Sequence, residues 1–191
     1  MSNDIPGVVV IDDFFPNFER VRSHAILSEF YDWMAPDGEL YKRITLLHVP
    51  DMFDTLTQHV GGIEIKASGY RLNFAGEPPN QSIHSDLGFG THVVVVYLNE
   101  GDSGTAFWEH NETGATEIWY GQRELFEAIK DDFENPEAWT QRMVVPVKSN
   151  RAVIYKASLF HSRYPFEAFG STPEDGRLIA IAFFNFLEDE E

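Results

Sequence analysis

Residues 84–98 read HSDLGFGTHVVVVYL, and this stretch decides the fold. Its second part, Thr91–Leu98, is a β-branched run with apolar residues at odd and even positions alike, the pattern of a strand covered on both faces. Its first part sets His84 and Asp86 two residues apart, so in an extended chain both side chains project to the same side. A polar turn over Pro78–Ser82 precedes the pair and Gly88-Phe89-Gly90 follows it. The pair is therefore expected at a strand edge beside loops.

Working outward, the chain downstream continues as short strands: Thr105–Trp108, Thr116–Tyr120, Met143–Val147, Ala152–Tyr155 and Leu178–Phe186. They are interrupted by Gln122–Phe133, where Leu125, Phe126, Ile129 and Phe133 fall at helical spacing until Asn135-Pro136 breaks the pattern. Immediately upstream, Ile63–Phe74 reads as a strand broken at Gly69. The first 62 residues are mixed. Val8–Ile11 and Arg43–Val49 read as strands, Pro16 opens a helix carrying Phe18, Val21, Ala25 and Ile26, and Pro50–Val60 is a helix closed by Gly61-Gly62. Helices early and many short strands later suggest a β-sandwich or barrel with a helical flank. We expect one domain over 1–191: a flank over 1–62 and a β core over 63–187 with a helical insert at 121–139.

Composition narrows the chemistry. The chain has 191 residues, 43% hydrophobic and 14% aromatic with 16 Phe, which suits one folded domain with a sizeable core. Asp and Glu number 31 against 14 Lys and Arg, a net charge of −17, and the basic residues do not cluster. Such a field disfavours nucleic acid and anionic membrane surfaces as partners. Cysteine is absent, which removes disulfides, thiolate metal sites and thiol catalysis. The opening segment has no basic region and only a short apolar run, and no stretch is long enough to span a bilayer, so a cytoplasmic location is expected. The acidic end Glu188–Glu191 is the longest biased segment.

Without thiols, a metal must be held by imidazole and carboxylate. The histidines are His24, His48, His59, His84, His92, His110 and His161. His84-Ser85-Asp86 has close ligand spacing, and His161 follows far downstream at the end of an apolar strand, AVIYKASLFH. Two histidines and one carboxylate can occupy one face of an octahedral iron and leave the other positions open. An isolated His-x-Asp is more often a surface or capping pair, so its neighbours carry the weight.

Those neighbours resemble the Fe(II)- and 2-oxoglutarate-dependent dioxygenases, in particular the prolyl-4-hydroxylase-like branch. His84-Ser-Asp86 leads into a β-branched strand ending Tyr97-Leu98-Asn99. Gly104-Thr-Ala-Phe-Trp108 is similar to the family's Gly-Gly-x-Leu-x-Phe strand, with Ser103 at the first glycine. Asn150-Arg-Ala-Val-Ile-Tyr155 resembles its Gly-x-x-x-x-Phe turn and strand, and Gly176-Arg177 followed by LIAIAFF resembles its closing, arginine-bearing strand. These pieces occur in the family's order over about residues 63–187.

The resemblance implies a mainly β fold with flanking helices, a double-stranded β-helix (jelly roll, cupin-like) holding iron in its mouth. It implies that His84, Asp86 and His161 bind Fe(II) and that 2-oxoglutarate and dioxygen take the remaining positions. Arg177 stands at the position that receives the far carboxylate of 2-oxoglutarate, and a guanidinium fork suits that group. Arg163 is its rival, because the segment FEAFGSTPEDG sets Arg177 farther from His161 than is usual in the family. Tyr70, Asn73 and Tyr97 carry polar tips on flanking strands and are candidates for the same cosubstrate, and Asn185 alternates onto the face of Arg177. His92 and His110 are expected near or outside the site, and His24, His48 and His59 in the flank.

The expected activity is oxidative decarboxylation of 2-oxoglutarate coupled to hydroxylation of a C–H bond in a small-molecule, amino-acid or peptidyl substrate. The Asp86 carboxylate argues against a halogenase. Gly76–Ser82, Asn111–Gly114 and the helical insert are expected at the substrate rim. Two alternatives stand beside this: a cupin-type metalloenzyme that does not use 2-oxoglutarate, and a non-enzymatic jelly-roll binding module.

Overall fold

The computed structural model describes residues 5–34, 40–77 and 83–187; the Pro78–Ser82 turn and the Glu188–Glu191 end lie outside them. Its first half comprises β1 (Val9–Ile11), α1 (Phe18–Ile26), β2 (Tyr31–Met34), β3 (Leu40–Leu46), α2 (Met52–Val60), β4 (Ile63–Asn73) and β5 (His92–Tyr97). The second half comprises β6 (Gly104–His110), α3 (Arg123–Ile129), β7 (Trp139–Pro146), β8 (Ala152–Lys156), β9 (His161–Tyr164) and β10 (Arg177–Phe186). Seven strands form one sheet in the order β1-β8-β5-β10-β4-β3-β2, and three form a second, β7-β6-β9. All the paired strands are antiparallel. This is a jelly roll with helices on its flank, as the resemblance implied.

The β-branched run is buried on both faces, and the two faces meet different partners. Val94 and Val96 pack with Phe14, Val21, Met52 and Leu56 under the flanking helices. Val93, Val95 and Tyr97 pack with Phe107, Val145 and Val153 between the two sheets. Each fully buried valine contributes about 1.5–3 kcal/mol, so this strand anchors both layers. β10 alternates in the same way: Leu178, Ala180, Ala182 and Phe184 face the helices, whereas Arg177, Ile179, Ile181 and Phe183 border the space between the sheets. A third cluster, around Trp108, Trp139 and Phe160, is covered by Ile129 of α3.

Two local ties fasten the flank to the roll. Asn150, at φ 62°, takes the left-handed position where a glycine would ordinarily sit. Its side chain accepts from Phe15 N–H at 2.8 Å and donates to Phe15 O at 3.0 Å. Asp12, just past β1, accepts from Arg151 Nε at 2.7 Å and Lys148 Nζ at 2.8 Å.

The structure corrects four expectations. β4 runs unbroken through Gly69: the glycine serves close approach, since a Cβ there would lie 1.9 Å from Thr45 O on β3. Thr116–Tyr120 is not a strand. It makes one isolated bridge, Glu117 to Leu159, because its partner segment is itself a turn after β8. His161 does not end the strand that began at Ala152; β8 stops at Lys156, and His161 opens β9 in the other sheet. The helix expected over Gln122–Phe133 is the shorter Arg123–Ile129. The β2 strand was not anticipated, and Trp33 of β2 lies beside Tyr41 of β3, their rings 5.7 Å apart.

Candidate metal centre

His84 reaches the site from the segment before β5, and its position is fixed by the main chain rather than by a strand. It forms an isolated antiparallel bridge with His161, each backbone N–H donating to the other's carbonyl at 3.0 and 2.9 Å. Asp86 N–H donates to Ala157 O at 2.8 Å, which ties the carboxylate's backbone to the turn after β8. Two segments distant in sequence thus deliver His84, Asp86 and His161 to one point, with ligating atoms all within 4.8 Å of one another.

The donor chemistry of this group fits a divalent cation. His161 is 5% exposed and donates Nδ1–H to Leu159 O at 2.9 Å, so in the neutral ring Nε2 offers a lone pair. That Nε2 lies 3.1 Å from Asp86 Oδ2, and His84 Nε2 lies 3.7 Å from Asp86 Oδ1. In the neutral His161 ring that lone pair faces a carboxylate, an arrangement that a cation between them relieves. Burial, together with the nearby His161, pushes His84 down to about 3, which keeps it neutral. Burial works against the Asp86 carboxylate, but positive charge beside it, a proton on His161 first and then Arg71, holds it below the usual range.

The triad borders a cavity of about 190 Å³ between the sheets, also lined by Arg71, Asn73, Thr105, Ser162, Arg163 and Arg177. Three arginines in one small cavity are notable in so acidic a chain. Arg177 is 7% exposed, and its Nε has no hydrogen-bond partner. Burial, with the charge of Arg71, pushes it down to about 10. Arg163 is already committed: its Nε donates to Phe166 O at 2.7 Å, and its Nη2 bonds the same carbonyl. Of these two rivals, Arg177 has the free donor.

Other expected residues lie at varied distance from the cavity. Asn73 faces Arg177 across the β4–β10 register and donates to Glu77 Oε2 at 3.3 Å. Tyr97 packs between the sheets with its hydroxyl 2.7 Å from Thr105 Oγ1, and burial raises its pKa. Tyr70 packs in the helix-side core, its hydroxyl 2.9 Å from Nδ1 of His24 on α1. Asn185 accepts from Thr91 N–H at 2.9 Å. His110 is buried against Asp132 and Thr113, at 3.1 and 3.0 Å, and His92 stacks on Phe184. His59 stacks on Phe14. Arg71, which the sequence reading passed over, has a legible signal: it shares the parity of Asn73 on β4, whereas Tyr70 does not.

On the far side of His84 and Ser85 lies a second, more open cleft of about 490 Å³, walled by Leu87, Trp119, Tyr120, Phe126 and Phe133. The helical insert thus lines a cleft beside His84 and Ser85, while Asn111–Gly114 contributes to neither cavity. Of Gly76–Ser82, only Gly76 and Glu77 lie within the described residues. No helix among the described residues is long and apolar enough to cross a membrane.

Comparison with solved structures places the fold. The non-heme alpha ketoglutarate dependent carbocyclase SnoK from nogalamycin biosynthesis superposes with a TM-score of 0.57 at 12% identity, covering 94% of this chain and 79% of that one. EctD from S. alaskensis with bound Fe gives 0.51 at 14% identity, covering 94% and 73%. An oxidoreductase of the 2OG-Fe(II) oxygenase family from Burkholderia pseudomallei gives 0.51 at 10% identity, covering 93% and 85%. At such identities the likeness establishes the jelly-roll fold. No curated protein matches the sequence. Residues 87–184 match a family model described as a family of unknown function, DUF6445.

Proposed function

Because the chain belongs to the DUF6445 family, whose function is unknown, we propose its activity from the site itself: it is an Fe(II)- and 2-oxoglutarate-dependent oxygenase that hydroxylates a C–H bond. The observation that carries this reading is the pairing, in one cavity, of the His84-Asp86-His161 group with Arg177, whose buried Nε has no hydrogen-bond partner among the described residues. A metal site alone would suit a cupin-type enzyme. The buried guanidinium adds a place for the far carboxylate of a chelating dicarboxylate, because a buried charge needs a counter-ion. The prolyl-hydroxylase-like resemblance and the fold shared with SnoK and EctD support the same reading.

In this reading His84, Asp86 and His161 would hold Fe(II), and three protein ligands would leave it able to take 2-oxoglutarate and dioxygen. When bound, the metal supplies the oxidising chemistry, coupled to decarboxylation of 2-oxoglutarate to succinate and carbon dioxide. Arg177 orients the cosubstrate through its fork, with Asn73 beside it, while Tyr97 and Tyr70 back the cavity walls. Leu159 O fixes the ring of His161, and the inter-sheet residues Val95, Ile179 and Tyr155 exclude water from the inner end of the cavity. The substrate is a small molecule, amino acid or peptide. The chain's acidity weighs against nucleic acid and anionic membrane as partners, and a cytoplasmic location gives access to the cosubstrate.

The test is direct. Protein prepared anaerobically should bind one equivalent of Fe(II), and on admission of air should convert 2-oxoglutarate to succinate. His161→Ala should do neither. Iron binding without any consumption of 2-oxoglutarate would favour the cupin-type alternative, and absence of metal binding would favour a binding module.

A further inference from the structure

Of the three arginines in the cavity, Arg163 is committed to Phe166 O and Arg177 is assigned to the cosubstrate, which leaves Arg71. Its place on β4 is set by register: Arg71 lies opposite Ile179 on β10 and Ile44 on β3, one row beyond the Asn73–Arg177 pair. A row is two residues, about 7 Å along the strand. The two guanidiniums therefore spring from adjacent strands at different depths, Arg177 on the β5 side and Arg71 on the β3 side.

Arg71 is chemically unfinished. Its Nε is buried without a hydrogen-bond partner, and among the described residues it makes no ion pair. Its guanidinium carbon lies over the Tyr41 ring, 5.4 Å from the centroid, and Tyr41 in turn packs on Trp33, so the cation is held against an aromatic wall. Arg71 lines the same cavity as the His84-Asp86-His161 group and Arg177. A 2-oxoglutarate has one far carboxylate, to which Arg177 is assigned, so a single molecule of it does not need both cations.

We propose that Arg71 receives a carboxylate of the primary substrate, which is therefore a small organic acid whose carbon skeleton lies against Tyr41 and Trp33. This deepens the oxygenase reading and rests on it. One planar fork matches one carboxylate, and the walls beside it, Ile44, Ile181 and Phe183, are apolar. The −17 net charge sharpens the point, since a cation left unpaired in a cavity of an acidic protein is reserved for an anion from outside.

The experiment uses the full chain loaded with Mn(II), which occupies the metal site without turnover. Phenylacetate, 3-phenylpropionate and hexanoate are titrated against their primary amides, with and without saturating 2-oxoglutarate. Wild type should bind the acids at least about ten-fold more tightly than the amides, as one charge-assisted hydrogen-bonded pair implies. Arg71→Gln should abolish that preference while leaving 2-oxoglutarate affinity within about two-fold, and Arg71→Lys should restore part of it. Equal affinity, or none, for the acid and amide series on wild type overturns the inference. So does a loss of 2-oxoglutarate affinity of more than about ten-fold in Arg71→Gln, which would put Arg71 on the cosubstrate. An acid preference that depends on Arg71 in a protein that takes up no 2-oxoglutarate would keep the anion site and overturn the oxygenase reading instead.

Discussion

His84 and His161 hold each other by the main chain, each N–H donating to the other's carbonyl at 3.0 and 2.9 Å. This bridge joins the segment before β5 to the first residue of β9, in different parts of the roll. Two residues of the candidate metal group are therefore positioned by backbone hydrogen bonds that form on folding. The imidazole rings follow, with centroids 4.5 Å apart. Preorganisation of this kind lets the site bind metal without reordering the chain.

Replacing a ligand should cost metal affinity without costing the fold. His161→Ala is expected to weaken Mn(II) binding by more than about 100-fold, beyond the 10–100-fold typical of residues that only support a ligand. His110→Ala supplies the contrast: it should leave metal affinity unchanged and destabilise the protein by about 1–3 kcal/mol, since Asp132 and Thr113 lose their buried partner. Calorimetric titration and thermal melting of both variants separate the two roles.

Arg177 is costly to the empty protein and useful to the loaded one. Arg177→Met keeps the apolar stem but removes a buried charge that lies near Arg71 and Arg163. The variant should melt higher than wild type by the equivalent of about 1 kcal/mol and bind 2-oxoglutarate at least about ten-fold more weakly. A variant that melted lower, with its 2-oxoglutarate affinity intact, would mark Arg177 as structural.

Gly69 tests the close approach of β3 to β4. A methyl group there would meet Thr45 O at 1.9 Å, and backbone cannot swing aside as a side chain can. Gly69→Ala is expected to destabilise the protein by about 3 kcal/mol, the upper end of overpacking costs. Because β3 carries Tyr41, the same change should disturb the outer end of the cavity. Denaturant unfolding measures the first effect, and tyrosine fluorescence on ligand addition measures the second.

Acid should loosen the tie between β1 and β8. Hydrogen bonds from Arg151 and Lys148 hold the Asp12 carboxyl well below the usual carboxylate range. A depressed folded-state pKa stabilises the protein above the unfolded value, near 3.9, and that contribution is lost as pH falls through the folded value. Wild type should therefore melt above Asp12→Asn at pH 7, and the gap should narrow progressively below about pH 4. A gap that stayed constant down to pH 2 would show that the carboxyl's ionisation is irrelevant to it.

Much of the fold was legible because its signals are local. Four consecutive valines at 93–96 announce a strand buried on both sides, whichever sheets supply the cover. Pro16 and Gly61 bracket the flanking helices through backbone chemistry that needs no tertiary partner. Thr116–Tyr120 misled for the complementary reason. Its composition suits a strand, but a strand exists only if another extended segment lies alongside, and the chain offers a turn there.

The candidate site divides along the same line. With no cysteine and one His-x-Asp, residue types alone left imidazole and carboxylate as the donors, and the family-like order of neighbouring strands singled out His161. Sequence could not say that Tyr70 turns its hydroxyl to His24 while Arg71, its neighbour, borders the cavity. That choice is one of parity, and parity becomes a direction only when β4 is registered between β3 and β10 with helices on one side and a second sheet on the other. Donor identity is a property of single residues, whereas the side a residue faces belongs to the assembled sheet. The sequence by itself therefore determined which groups can hold a metal, and only the tertiary structure decided which cations share the cavity with it.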